Sequence, residues 1–144
     1  MFGYLNRCHS LGVGVVPWVS YRTVARIDRR SQIAANNSLR EACGLFASRP
    51  SGEIRLRFLP NLTSDKGSYR LRIADLKLLP PKPNVCGVFH THPIGPSVAT
   101  EEDHDKRLIG RYLLVYSDTF SQIKLWRLKQ NSDFIQVPLL VRPH

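Results

Sequence analysis

Two histidines stand two residues apart in the stretch Gly87-Val-Phe-His-Thr-His-Pro93. On a β-strand, alternate residues point to one face, so His90 and His92 present their imidazoles side by side. Pro93 ends the strand, which puts the pair at the rim of a sheet. Adjacent imidazoles can share one divalent cation. Asp103 follows eleven residues after His92, on the opening turn of a polar stretch over 100–109 that reads as a helix. A loop of that length folds back far enough to bring the carboxylate to the same point. Two histidines and one carboxylate leave a fourth position open for water, the donor set of a catalytic rather than a structural zinc site.

A site of this kind needs a base. Zinc lowers the pKa of its water from ~9 for the aqueous ion toward ~7, and some group must take the proton. Glu101 and Glu102 lie on what reads as an exposed helix face. Glu41 is different, because it sits in the otherwise apolar strand Arg40-Glu-Ala-Cys-Gly-Leu45. A carboxylate there is costly unless it has a task or a partner. Plainer readings stand beside these. Thr100-x-x-Asp103 is also a capping box at a helix start, and Glu41 is also readable as a strand-edge charge. The capping box accounts for neither the histidine pair nor Glu41. Cys43 could be a nucleophile with His90 or His92, but those imidazoles are better used as ligands, and cysteine on an apolar strand is commonly a small buried residue. Cys86 reads the same way. His104 and Asp105 read as solvated helix residues or as groups supporting the ligands.

Glu41-Ala-Cys-Gly-Leu45, then His90-Thr-His-Pro93, six residues, Thr100, two residues and Asp103 resemble the JAMM (JAB1/MPN+/Mov34) metallopeptidases. That family's pattern is a distant Glu, then His-x-His-Pro, six residues, Ser, two residues, Asp. The resemblance runs from about residue 21 to 140. It implies that His90, His92 and Asp103 bind Zn²⁺. It implies that Glu41 is the general base and then the general acid, and that residue 100 hydrogen-bonds the oxyanion. The one departure is Thr100, where the family has Ser. Thr keeps the hydroxyl, but its methyl restricts the rotamers. A lost oxyanion donor costs about 10²–10³ in rate, so the departure bears on efficiency more than on function class. The implied reaction is hydrolysis of an isopeptide or peptide bond after the C-terminal tail of a ubiquitin-like protein. The compact chain is most similar to stand-alone prokaryotic members. These include deconjugating enzymes of bacterial ubiquitin-like systems, some tied to anti-phage defence, and processors of sulfur-carrier proteins.

The elements that must position these residues follow from periodicity and breakers. Residues 1–20 carry Gly12, Gly14 and Pro17, with valines that suggest a short strand. From Tyr21, the residues Val24, Ile27, Ile33 and Ala34 fall on one helical face, and Asn36-Asn37 marks the end. Strands are expected over 40–48 and 53–59, separated by the turn Pro50-Ser-Gly52. A short helix over 73–79 would be stopped by Pro80-Pro81-Lys82-Pro83. The metal-bearing strand is expected over 84–91, and closing strands over 112–116, 122–128 and 134–140. Helices alternating with strands make this an α/β chain, and the resemblance specifies an MPN/JAB-type mixed sheet flanked by helices. The expected organisation is an N-terminal segment over 1–20 and one metallopeptidase domain over 21–144.

Length and composition bound the rest. The chain has 144 residues, 42 % hydrophobic and 22 % charged, which suits one globular domain and excludes a disordered tail as its main content. No apolar run approaches the ~20 residues of a membrane span. Lys and Arg number 21 against 11 Asp and Glu, a formal charge of +10. An excess of that size suits an acidic partner. No nucleic-acid motif accompanies it, so a basic nucleic-acid-binding domain stands as an alternative resting on charge alone. A non-catalytic MPN-type interaction module is the other alternative; it predicts broken ligands, and none is broken. Three cysteines, Cys8, Cys43 and Cys86, argue against a disulfide framework and for a reducing, cytoplasmic setting.

Overall fold

The structure is a computed structural model and describes residues 15–63, 69–71, 85–98, 112–129 and 133–143. The expected helices over 73–79 and 100–109 lie outside the described residues. Helix α1, Tyr21–Asn36, follows directly on strand β1, Trp18–Ser20. Ser20 is its N-cap, accepting from the Thr23 amide at 3.0 Å. Ile27 and Ser31 are the helix residues fully buried against the sheet. The helix ends without glycine. Ser38 and Leu39 both take left-handed backbone, at φ 61° and 58°, and the Arg40 amide returns to the Ala34 carbonyl at 3.1 Å. Left-handed backbone costs a non-glycine residue about 1–2 kcal/mol. Here that strain turns the chain sharply from the helix into the stretch that carries Glu41.

Six strands form one sheet in the order β3-β2-β4-β5-β6-β7. They are β2 Cys43–Ser48, β3 Ile54–Leu59, β4 Cys86–His92, β5 Tyr112–Ser117, β6 Gln122–Leu128 and β7 Phe134–Val137. The β4–β5 pair is parallel and the others are antiparallel, so the sheet is mixed. Alternation along these strands divides the core. Phe46, Phe89, Leu114, Tyr116 and Leu125 face α1 and pack with Val19 and Ile27. Cys43, Leu45, Val88, Leu113 and Val115 face the other way, under Tyr69 and Trp126. Strand β4 is central and all seven of its residues are buried, as expected for a strand covered on both faces.

The expected strand over 134–140 is two strands. Pro138 has no amide to donate, and the chain leaves the large sheet after Val137. Strand β8, Leu140–Arg142, then pairs in parallel with β1 as a separate two-stranded sheet, with Trp18 opposite Leu140. Arg142 stacks over the Trp18 ring at 5.1 Å. The cysteine expectation also needs correction. Cys86 is disulfide-bonded, while Cys43 is buried with its thiol donating to the Leu59 carbonyl at 3.6 Å. No helix among the described residues is long and apolar enough to cross a membrane.

Candidate metal centre

Strand β4 carries His90 and His92 on the sheet face opposite α1, at its C-terminal end. Both imidazoles are buried, and their Nε2 atoms lie 3.0 Å apart, with the rings tilted by 54°. His92 Nδ1 lies 2.7 Å from the Pro96 carbonyl oxygen. A carbonyl only accepts, so Nδ1 carries the proton and Nε2 of His92 presents a lone pair toward His90. This is the tautomer that a metal-binding histidine needs, held by the backbone-carbonyl contact that such ligands commonly make. Two nitrogens at ~2.0–2.1 Å from one tetrahedral zinc lie about 3.3 Å apart. The observed separation falls within a few tenths of an ångström of that value, so the pair fits a shared cation.

The loop after β4 holds Pro96 in place through several anchors. The Ser117 hydroxyl donates to the Gly95 carbonyl at 2.6 Å, and the Thr119 hydroxyl to the Pro93 carbonyl at 3.1 Å. The Trp126 indole N–H donates to the Ser97 carbonyl at 3.0 Å, and the Asp118 amide to the His92 carbonyl at 2.9 Å. Gly95 adopts φ 97°, a backbone that admits glycine readily and almost nothing else. On the other side, Tyr69 stacks on the His90 ring, 4.5 Å between centroids and 17° from parallel. Tyr69 is brought there by Asn61, whose Oδ1 accepts from the Thr63 and Arg70 amides, each at 3.1 Å.

Glu41 lies just before β2 and is 4 % exposed. Cys43 pairs with His90, so continuing the register by two residues sets Glu41 across from His92. The Thr91 amide donates to the Ala42 carbonyl at 2.9 Å, but the Ala42 amide turns to the Thr91 hydroxyl instead of its carbonyl, also at 2.9 Å. That substitution ends the ladder, and the strand starts at Cys43, three residues later than expected. Asn61 Nδ2 also donates to the Glu41 carbonyl at 3.0 Å, and Arg40 donates to the Asn61 and Thr63 carbonyls, each at 2.6 Å. Thr100, Asp103, His104 and Asp105 lie outside the described residues. Among the described residues, no group of three or more His, Cys, Asp or Glu could hold a metal ion.

No family model and no curated protein matches the sequence. Solved structures do match. A Desulfitobacterium hafniense protein solved in solution superposes with a TM-score of 0.65 at 17 % identity, covering 90 % of this chain and 94 % of that one. A JAB1/MPN domain protein from Archaeoglobus fulgidus gives 0.56 at 18 % identity, with 89 % and 99 % covered. A structure presented as JAMM, a metalloprotease-like zinc site in the proteasome and signalosome, gives 0.55 at 18 %, with 88 % and 98 % covered. The chain has the JAB1/MPN fold.

Within this JAB1/MPN sheet, the side chains that fix the two imidazoles include several that the sequence reading passes over. Tyr69, Thr91, Ser117 and Trp126 each hold a ring, a strand end or a loop. Thr91 carries a local signal, since it is a hydroxyl residue between two histidines on a fully buried strand. The others act across long separations in the chain, and no periodicity announces them.

Proposed function

We propose that this chain is a zinc-dependent peptidase that hydrolyses the amide bond after the C-terminal tail of a ubiquitin-like protein, in a conjugate or a precursor. The observation that carries the reading is the pair of buried imidazole nitrogens 3.0 Å apart, with the His92 tautomer held by the Pro96 carbonyl. His90 and His92 would hold Zn²⁺ together with Asp103. Zinc held there supplies a Lewis acid that polarises the amide carbonyl and acidifies a water molecule. Glu41 takes the proton of the attacking water and hands it to the departing amine, a role worth ~10²–10⁴ in rate. The Thr100 hydroxyl donates to the oxyanion. An extended tail suits the outer edge of β3, the strand paired to β2 at one end of the sheet, where it can add main-chain hydrogen bonds.

Zinc content by elemental analysis, and cleavage of a ubiquitin-like fusion, test this together. The wild type should hold zinc and His92→Ala should lose it; equal metal in both would remove His92 as a ligand. Glu41→Gln should keep its zinc and lose most turnover. Undiminished cleavage in that variant would take Glu41 out of the mechanism.

A further inference from the structure

A cleft of 380 Å³ opens between the C-terminal turns of α1, the entry to β2 and the end of β3. Glu41 lines one part of it, and Arg30, Ile33, Arg40, Phe58 and Asn61 line the rest. Its chemistry is two-sided. Phe58 and the outward-facing Ile33, 61 % exposed, give an apolar surface. The charge is cationic. The guanidinium carbons of Arg26 and Arg30, one helical turn apart, stand 5.5 and 5.0 Å from the same Phe58 ring. Arg40 adds a third guanidinium, its Nη2 committed to two backbone carbonyls. No carboxylate among the described residues pairs with Arg26, Arg30 or Arg40; the ion pair found there joins Arg55 to Glu53 at 3.3 Å.

Two like charges over one ring repel each other, and stacking on the ring offsets only part of that. An anion set between them would relieve it. Guanidinium is weakly hydrated and presents a planar fork of donors that matches a carboxylate. Glu41 lines the end of the cleft at the entry to β2, where the α1 side of the sheet meets the side that carries the histidines.

We propose that this cleft selects the substrate, and that its occupant is an extended segment near the scissile bond bearing acidic side chains beside bulky apolar ones. The inference rests on the peptidase reading above and narrows it: the tail of the ubiquitin-like protein is acidic here, and a basic segment is repelled. The same cations also serve to steer an acidic protein toward the site.

The test uses two labelled peptides of equal length ending in Gly-Gly, one alternating leucine with glutamate and the other leucine with lysine. Binding is read by fluorescence anisotropy on the whole chain. At about 50 mM salt the acidic peptide should bind at least about tenfold more tightly, and the gap should narrow as salt rises. Arg30→Glu should remove that preference. Ile33→Glu, at an exposed rim position with little bearing on folding, should weaken the acidic peptide alone. Equal binding of the two peptides, or a preference kept in both variants, overturns the proposal. A mixed-sequence oligonucleotide binding more tightly than the acidic peptide, and lost in Arg30→Glu, overturns it in favour of nucleic acid. Zinc content and cleavage measured on the same preparations separate the two ideas. Zinc and turnover without charge preference refute the cleft alone, whereas charge preference without zinc refutes the peptidase alone.

Discussion

Ser117→Ala removes a single oxygen and tests whether the loop after β4 governs the proposed metal site. The Ser117 hydroxyl is fully buried, donates to the Gly95 carbonyl at 2.6 Å and accepts from the Phe120 amide at 3.1 Å. Each bond is worth about 0.5–1.5 kcal/mol net, and stranding the buried partners adds to the loss. A total of about 2 kcal/mol is expected, with no change in side-chain shape to absorb it. With a urea dependence of about 2 kcal/mol per molar, the unfolding midpoint should fall by about 1 M. The functional consequence follows from position. Gly95 precedes Pro96, whose carbonyl holds His92 Nδ1 at 2.7 Å. Loosening that carbonyl frees the imidazole to turn, and losing such support to a metal ligand costs about 10- to 100-fold in affinity. Zinc affinity measured by competition with a chromophoric chelator should weaken by that factor. Thr119→Val, which removes one exposed bond to the Pro93 carbonyl, should shift both readouts far less. The reasoning fails if Ser117→Ala lowers the midpoint as expected while zinc affinity stays within about twofold of the wild type.

Two further outcomes follow from packing and titration. A Cβ on Gly87 would overlap the Tyr112 carbonyl oxygen across the parallel β4–β5 pair, so Gly87→Ala should cost about 3 kcal/mol by forcing the strands apart, read as a lowered urea midpoint; an unchanged midpoint would show the pair yields without strain. Burial first, and then the hydrogen bond its hydroxyl donates to Asp28 at 2.6 Å, push the Tyr116 phenol up to about 12. A raised folded-state value means the folded chain keeps a proton that the unfolded chain releases above about 10, so stability should fall as pH rises between about 10 and 12. Tyr116→Phe should flatten that slope, and an alkaline unfolding profile identical to the wild type would remove this contact as its cause.

The closeness of the two imidazoles was legible because its signals are local. His90 and His92 follow the two-residue period of a strand, and Pro93 marks where it stops. Glu41 stands out as a carboxylate among apolar neighbours, and its burial in the structure agrees with that reading. Helix α1 begins at Tyr21 and ends at Asn36 as expected, but Ile33, read as part of its apolar face, points outward at 61 % exposure while Ser31 is buried. What escaped was set by distant partners. Strand β2 starts at Cys43 and not at Arg40 because the Thr91 hydroxyl, 49 residues away in sequence, takes the Ala42 amide. The last expected strand divides at Pro138 because its second half has β1 to pair with. The Pro96 carbonyl that sets the His92 tautomer is a backbone atom and leaves no residue signature.

The parallel clasp between β1 and β8 joins the first and last described strands. Ser20, which caps α1, belongs to that clasp. The start of the helix therefore gains its final support only after residues 140–142 have emerged from the ribosome. Closing so long a loop is among the slower steps a chain of this size takes. The β2–β3 and β2–β4 pairs can form first, while the latch at the rim waits for residues 140–142.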